Sequence, residues 1–425
     1  MTAATEPPPR IVTLDIVRGV AVMGILAMNV VGFALPFQAY LNPLALGPVG
    51  EADFASWVVG FIFIDGKMRG LFSFLFGASM LLVIEQAKAK GEAEERIHYR
   101  RMFWLLAFGL VHLYLVWFGD ILAGYALVGM IAFLFRDLPR RALVAWAIGL
   151  LAVQLLVFAG LAATAAALQQ QAAAPGAEPA IIAEWEGLQR LFGAMSPQAR
   201  AQELALYRGG YGAILADRLR DQAIAPVKGL GLFGWETLAY FLLGMAGLKS
   251  GFLTGGWSAG RYRRTALAGF AVGIPAYAGL AWLLARDGFS VPTLIALSMA
   301  ATVPLRPVMV VATAALIILA TREGGALVER IAAAGRAAFT NYLGTSLLMT
   351  SLFYGYGGAL YGRMGRAELW LVVVAMWGLM LLWSKPWLER FRYGPLEWLW
   401  RSLARGALQP MRRTKRGTVP IYRDA

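Results

Sequence analysis

The chain has 425 residues, of which 59% are hydrophobic and only 15% are charged. Soluble domains are typically about 45–50% apolar and about 25% charged, so this composition excludes an ordinary soluble protein. The formal net charge of +14 comes without a basic patch interleaved with aromatic residues, which favours contact with anionic lipid and argues against a nucleic-acid partner.

Apolar runs of about 20 residues, long enough to cross a hydrocarbon core of about 30 Å, recur along the chain. We therefore predict an all-α, polytopic transmembrane helical bundle with about ten spans, at 13–35, 54–86, 101–119, 121–135, 142–168, 232–249, 265–285, 293–319, 337–356 and 368–388. The second run is too long for one crossing, so we expect an outer piece and a bend at Gly66 before the crossing proper.

Lysine and arginine are concentrated in alternate connections between these runs, whereas the connections at 36–53 and 119–120 contain neither. The positive-inside rule then predicts that both termini are cytoplasmic. Four regions follow from this topology: an N-terminal transmembrane half with the candidate site, an outer loop, a C-terminal transmembrane half and a cytoplasmic amphipathic and basic tail, at 1–168, 169–231, 232–388 and 389–425.

The outer loop at 169–231 carries balanced charges and apolar residues at three- and four-residue spacing, which predicts surface helices. Two roles stay open for it, a lid or spacer and a cap that controls substrate entry. In the tail, the stretch YGPLEWLWRSLARG predicts an amphipathic helix at the cytoplasmic interface.

The first span carries three polar side chains. Asp15 and Arg18 are three residues apart and are therefore neighbours on a helix. Asn29 follows Arg18 by eleven residues, about three turns, so that both point the same way about 16 Å apart. Polar side chains at membrane depth usually face a bundle interior, so we expect this face to point away from lipid.

The second span contains FIDGKMRGLF, with Asp65, Lys67 and Arg69. Asp65 and Arg69 are four residues apart and can pair on a helix, whereas Lys67 points roughly the other way. A self-neutralised structural pair is one interpretation. The other is an electropositive pocket for a phosphate, a carboxylate or a CoA-like group.

His112 lies on the third span, and it is one of two histidines in the chain. It is either a hydrogen-bonded packing residue or a general base; His98, in a basic loop, is expected to be solvated. Along an unbroken helix Asp120 would lie about 12 Å from His112, so the two need not be in contact. The plainest role of Asp120 is to cap the N-terminus of the next span. Tyr125 on the same short helix could donate a hydrogen bond.

Three weaker candidates lie in the second half. Glu236 is near the outer end of the sixth span. Arg306 is flanked by two prolines that free backbone carbonyls, which predicts a broken helix around a buried cation. Asn341 could face a substrate, although helix packing is the favoured interpretation.

No phosphate loop, serine elbow, metalloprotease motif or dinucleotide fingerprint is present. The chain has no cysteine, which excludes disulfides and thiolate metal sites, and with two histidines a zinc or haem site is not expected. We therefore predict no metal.

The stretch LDIVRGVAVMGILAMN resembles the first helix of the YeiB-like family of bacterial inner-membrane proteins, whose domain is called DUF418. Further stretches match in order, among them GLFSFLFGASMLL, FGLVHLYLVWFGDILAGYALVGM and GRAAFTNYLGTSLL. The resemblance implies a multi-pass protein of the bacterial inner (plasma) membrane. It also implies a distant similarity to membrane acyltransferases such as the heparan-alpha-glucosaminide acetyltransferases and the bacterial sugar O-acyltransferases. The bacterial sugar O-acyltransferases place a histidine where this chain has Asn29.

That similarity favours acyl transfer from a cytoplasmic donor, such as acyl-CoA, to a hydroxyl or amine in or across the membrane. His112 would be the base, oriented by an acid such as Asp65, with Asp120 as a second catalytic candidate. The substrate-binding candidates are Arg18, Asn29, Lys67, Arg69, Tyr125, Glu236, Arg306 and Asn341. A transporter or flippase of a small solute or lipid, and a structural partner in a membrane complex, stay open. The expected partners are membrane lipids and a small-molecule or lipid substrate; a homo-oligomer stays open.

Overall fold

The computed structural model describes residues 11–221 and 224–413, and both ranges are mostly helical. The N-terminal part forms α1 (Val12–Ala34), α2 (Gln38–Leu41), α3 (Glu51–Phe63), α4 (Lys67–Ala89), α5 (Glu94–Val111), α6 (Leu122–Ala132) and α7 (Arg140–Ala172). Short helices follow, namely α8 (Pro179–Phe192), α9 (Pro197–Tyr207) and α10 (Tyr211–Asp221). The C-terminal part forms α11 (Ala225–Lys249), α12 (Ala259–Asp287), α13 (Val291–Leu294), α14 (Leu305–Ala320), α15 (Ala326–Arg336), α16 (Ala338–Phe353), α17 (Arg366–Arg390) and α18 (Pro395–Arg405).

The all-α prediction is confirmed for these residues, in which the only β-type pairing is one isolated bridge between Phe391 and Arg412. Two π-helical segments, His112–Val116 and Ile295–Ala300, follow α5 and α13. The predicted basic end of the tail, at 414–425, and the proline-rich residues 1–10 lie outside the described residues.

Among the described residues, six helical segments are long and apolar enough to cross a membrane. They are Val12–Ala34, Glu51–Ala89, Arg140–Ala172, Ala225–Lys249, Ala259–Asp287 and Arg366–Arg390. A seventh crossing arises if Val291–Ala300 and Leu305–Ala320, which meet at a bend of 46°, form one span. The chain is thus a multi-pass membrane protein. Ten spans stay a prediction, because three of them are not among these crossings. The first half of α5 is rich in charged residues, and α6 and α16 have only 11 and 16 residues, fewer than the ~17–25 that a crossing usually needs.

The predicted bend in the second span is present. Gly66, between α3 and α4, has a φ of +70°, a left-handed conformation that favours glycine. A Cβ at Gly66 would also lie only 2.8 Å from Cδ of Arg306, so the bend admits the arginine side chain. The bend therefore places the start of α4 directly against the broken eighth span.

Helices α1, α4 and α11 form the interior of the bundle. In the most apolar stretch of α1, 72% is buried inside the protein, whereas the corresponding share is only 28% in each of α7, α12 and α17. These three helices therefore turn most of their apolar surface outward. Helices α4 and α11 cross through two similar stretches, FLFG at 74–77 and FLLG at 241–244. Gly77 lies against the backbone of Phe241, and Gly244 lies against the backbone of Phe74. The two glycines let the helix backbones touch.

We expect Gly244→Ala to lower the free energy of unfolding by about 1–3 kcal/mol, because its methyl group would collide with the carbonyl oxygen of Phe74. Thermal unfolding of the purified protein in detergent measures this effect. Gly149→Ala is the matched control, since a Cβ there meets no atom within 4 Å. Equal unfolding temperatures for the two variants would contradict the close crossing of α4 and α11.

The outer-loop prediction of surface helices is confirmed by α8, α9 and α10. Three hydrogen bonds join this loop to the connection after α1. The Gln38 side chain donates to the carbonyl of Arg190 (2.6 Å), the Met195 amide donates to the carbonyl of Ala45 (2.9 Å), and the Arg200 side chain donates to the carbonyl of Leu46 (2.9 Å). The Tyr361 hydroxyl donates to Glu203 on α9 (2.8 Å), which joins the loop to the segment after α16. The loop is therefore anchored on both halves of the bundle.

The helix predicted in the tail is α18, and it is fastened to the bundle by Glu397. The carboxylate of this residue accepts hydrogen bonds from the amides of Phe339 (2.6 Å) and Thr340 (3.0 Å) and from the Thr340 hydroxyl (2.6 Å). These amides belong to the first turn of α16, so Glu397 caps that helix from another part of the chain.

Burial raises the pKa of Glu397 above its usual range, against the opposing effect of these hydrogen bonds. A carboxyl whose pKa is higher in the folded than in the unfolded chain binds more protons when folded, so its contribution to stability falls as the pH rises through the folded pKa. We therefore expect the wild type to lose stability relative to Glu397→Gln as the pH rises from about 4, the ordinary pKa of a glutamate, through the raised pKa of the folded state. Unfolding temperatures across this range test it, with Glu184→Gln, at an exposed position on α8, as the control. Parallel curves for wild type and Glu397→Gln would refute it.

Candidate functional site

A cavity of about 550 Å³ opens among the interior helices, within the ~300–1,000 Å³ typical of small-molecule sites. Its sides are formed by the second half of α1, the bend at Gly66, the segment before α6 and the first half of α11. Leu191 and Phe192, at the end of α8, also line it. The outer loop therefore covers part of the cavity, which supports the lid interpretation.

A cluster of three buried charges joins three helices beside this cavity. Glu236 on α11 is fully buried; one carboxylate oxygen bonds Arg69 of α4 and the other bonds Arg306 of α14, both at 2.5 Å. The two arginines line the cavity, whereas Glu236 lies behind them. A carboxylate shared between two guanidinium groups neutralises part of their charge, so this cluster does not form the strongly electropositive pocket that the sequence suggested.

Arg306 also holds the broken eighth span together. Its guanidinium donates to the carbonyl of Met299 (2.9 Å) and to the Thr302 hydroxyl (2.6 Å). Met299 lies near the end of the π-helical segment and Thr302 lies two residues beyond it, where backbone carbonyls lose their regular partners. The prediction of a broken helix around a buried cation is thus confirmed.

The predicted pair of Asp65 and Arg69 is wrong. Gly66 interrupts the helix between them, so four-residue spacing no longer makes them neighbours, and Arg69 pairs with Glu236 instead. Asp65 lines the cavity, and its carboxylate has no hydrogen bond or ion pair with any residue that the structure describes. The side-chain amide of Asn29 also lines the cavity, and it too has no hydrogen-bond partner among the described residues.

His112 and Asp120 are in direct contact, which the sequence did not require. Nδ1 of His112 lies 2.8 Å from a carboxylate oxygen of Asp120, and both side chains are buried. The chain leaves its helix after the π-helical segment, and the non-helical residues 117–121 turn Asp120 back toward the histidine. The second carboxylate oxygen accepts from the Ala123 amide (2.8 Å), so Asp120 also has its predicted role at the start of α6.

The other ring nitrogen of His112, Nε2, is buried and has no hydrogen-bond partner among the described residues. His112 does not line the cavity itself, but its sequence neighbour Leu113 and its partner Asp120 do. His98, in contrast, is not solvated as expected. It is buried on α5, bonded to the carbonyl of Gly129 (3.0 Å) and stacked on Phe133.

Tyr125 lines the cavity as well, and its hydroxyl lies 2.5 Å from Ser73 Oγ and donates to the carbonyl of Arg69 (3.2 Å). It therefore fixes the backbone that carries Arg69. Sequence analysis missed Ser298, whose buried hydroxyl lacks a partner among the described residues and lines the same cavity. Its position four residues before Thr302, on the turn that precedes the prolines, was the signal that could have found it.

Four predicted substrate-binding residues do not line this cavity: Glu236, which lies behind the two arginines, and three residues elsewhere in the bundle. Arg18 bonds Asp15 (3.1 Å) and Ser79 (2.6 Å) near the start of α1. Lys67 is fully buried, donates to the carbonyl of Phe61 and lies over the ring of Tyr277. Asn341 bonds Ala334, Ser384 and Trp383, a set that joins α15, α16 and α17.

These features define a class of protein: a multi-pass, all-helical membrane protein with a largely apolar cavity bordered by a buried charge cluster. The family model described as "Protein of unknown function (DUF418)" matches residues 248–407. YxaH of Bacillus subtilis (strain 168) is 32% identical over 420 residues, which cover 95% of this chain and 96% of the relative. YeiB of Escherichia coli (strain K12) is 33% identical over 414 residues, which cover 94% and 98%.

The chain belongs to the DUF418 family of YeiB-like proteins, as the resemblance of its first helix predicts. Both relatives are named as uncharacterized proteins. No solved structure matches the chain.

Proposed function

We propose that this protein is a membrane acyltransferase that moves an acyl group from a thioester donor, such as acyl-CoA, to a hydroxyl or amine in the cavity. The observation that carries the proposal is the buried pair of His112 and Asp120, whose free nitrogen Nε2 lies behind the cavity wall. A histidine oriented by a carboxylate, with its second nitrogen free, is the arrangement that general-base catalysis uses.

In the proposed reaction, Nε2 of His112 takes the proton of the acceptor as the acceptor oxygen or nitrogen bonds the thioester carbon. Asp120 accepts from Nδ1–H and so keeps Nε2 as the basic nitrogen. The carbonyl electron pair moves to the oxygen, where the Asn29 amide supplies a donor. The carbon–sulfur bond then breaks, and the leaving thiolate takes the proton from His112. Entry of the acceptor would displace the wall side chain that separates Nε2 from the cavity.

We further propose the predicted orientation, with ten spans, cytoplasmic termini and the bacterial plasma membrane as location. In this orientation the cavity opens toward the outer face, beneath the loop at 169–231. The donor would then have to present its thioester from the opposite side of the bundle.

The test is transfer by the purified protein in lipid nanodiscs. Thiol release from acyl-CoA, followed by mass spectrometry of lipid and soluble acceptors, is expected to show a product heavier by one acyl group. A protein that binds no acyl-CoA and releases no thiol would refute the proposal.

Transport is the second candidate, because Arg306 sits at a break between π-helical and α-helical segments, a feature of transporter binding sites. It predicts substrate flux into proteoliposomes without covalent change. Acyl transfer at the same rate in sealed and in detergent-opened vesicles, without flux, would exclude it.

A further inference from the structure

The cavity combines an apolar wall with polar groups that lack partners. Three tyrosines and seven phenylalanine or tryptophan side chains line it, and we call these seven the aromatic wall: Phe37, Phe61, Trp117, Phe118, Phe158, Phe192 and Phe233. Phe37 and Phe233 are partly exposed, at 43% and 38%, so the wall continues to the rim of the cavity. A wall of this kind accepts an alkyl chain more readily than a sugar phosphate or another fully polar solute.

The polar groups specify what the head of such a ligand must offer. An ionised carboxylate can only accept hydrogen bonds, and Asp65 receives none from the described residues. A ligand group placed against Asp65 must therefore donate, as a hydroxyl or an amine does. An ionised carboxylate or phosphate cannot donate, and it would leave Asp65 without a partner.

Arg69 and Arg306 do not reverse this preference. Both already bond Glu236, and Arg306 gives further bonds to Thr302 and Met299. The groups without a partner among the described residues include the amide of Asn29 and the hydroxyls of Ser298 and Tyr277, which can all donate and accept. Together with Asp65 they suit a head group that carries several hydroxyls, or a hydroxyl and an amine.

We propose that the cavity binds a single-chain amphiphile with a hydroxyl or amine head, the head against Asp65 and the alkyl chain along the aromatic wall. The identification of this molecule as the acyl acceptor rests on the proposed function. Its binding does not, because the cavity and its unpartnered groups exist whatever reaction follows.

The test compares two photoreactive probes on the protein in phosphatidylcholine nanodiscs. One is a monopalmitoylglycerol with a diazirine and an alkyne in its chain; the other is palmitic acid with the same chain. After irradiation, we expect the glycerol probe to label peptides of α8 and α11 that line the cavity, about tenfold more than the acid does. Equal labelling by both probes, or labels confined to the outward faces of α7, α12 and α17, would overturn the proposal.

A variant tests whether the preference for the glycerol probe over the acid depends on Asp65. Asp65→Asn adds an N–H donor and removes the charge, so labelling by the glycerol probe is expected to fall about tenfold while labelling by the acid rises. Glu329→Gln, on α15 away from this cavity, is the control and should label like the wild type. Unchanged labelling of Asp65→Asn would overturn the role of Asp65, and the wild-type comparison decides the proposal even if this variant does not fold.

The outcomes separate this inference from the proposed function. Specific labelling of the cavity without any acylated product would keep the amphiphile site and refute acyl transfer. Transfer to water-soluble acceptors without specific labelling of the cavity would keep acyl transfer and refute the amphiphile site.

Discussion

Replacing His112 with glutamine is expected to lower the rate of acyl transfer by about 10²–10⁴-fold, the usual contribution of a general base. Glutamine keeps a polar side chain near Asp120 but offers no nitrogen that can take a proton and return it. Thiol release from acyl-CoA by the purified variant, at saturating donor, measures the loss. The rate of Asp120→Asn should also fall, because an amide does not stabilise the tautomer of His112 that has a basic Nε2.

The only other histidine provides the matched control. His98 is equally buried but bonds a backbone carbonyl of α6 and does not line the cavity. His98→Gln should therefore retain the wild-type rate per folded molecule. If both glutamine variants keep that rate, His112 is a packing residue, and the acyl-transfer mechanism is wrong.

Glu236→Ala is expected to destabilise the fold by about 3–5 kcal/mol, the largest effect on stability that we predict. The substitution leaves two guanidinium groups buried beside each other without their shared carboxylate. It also frees the bend of the eighth span, because Arg306 can turn away from Met299 and Thr302. The unfolding temperature in detergent and the yield of monodisperse protein measure the loss.

The triple variant Arg69→Met, Glu236→Leu, Arg306→Met separates lost charge balance from lost packing. Replacement of a whole buried ion cluster by apolar side chains of similar size is often neutral or stabilising, so this variant should unfold close to the wild type. If the triple variant unfolds as readily as Glu236→Ala, lost packing and not lost charge balance explains the destabilisation by Glu236→Ala. In either case it should lose activity, because Arg69 and Arg306 line the cavity.

Local features of this fold could be predicted from the sequence. Gly66 marked a bend, the two prolines around Arg306 marked a broken helix, and the periodicity of 169–231 marked surface helices. Each of these signals acts within a few residues, through backbone conformation or a missing amide donor.

The wrong predictions of side-chain pairing concern residues between which the regular helix is interrupted. Asp65 and Arg69 would pair on a regular helix, but the bend that the sequence itself predicted separates them. His112 and Asp120 would lie about 12 Å apart along an unbroken helix, so their contact was not predicted; a π-helical segment and a turn bring them together. The partner of Arg69 is 167 residues away, and no local pattern could indicate it.

The shared carboxylate also constrains how the protein is made. Arg69 is translated long before Glu236, and Arg306 later still, yet each of them would cost about 2.5–3.5 kcal/mol if its helix entered lipid alone. We expect the nascent α4 to stay in a protected, wet environment near the insertion machinery until α11 and α14 arrive. We therefore expect the three helices to be released late and together, and a truncation before Glu236 to leave α4 as a target for membrane quality-control proteases.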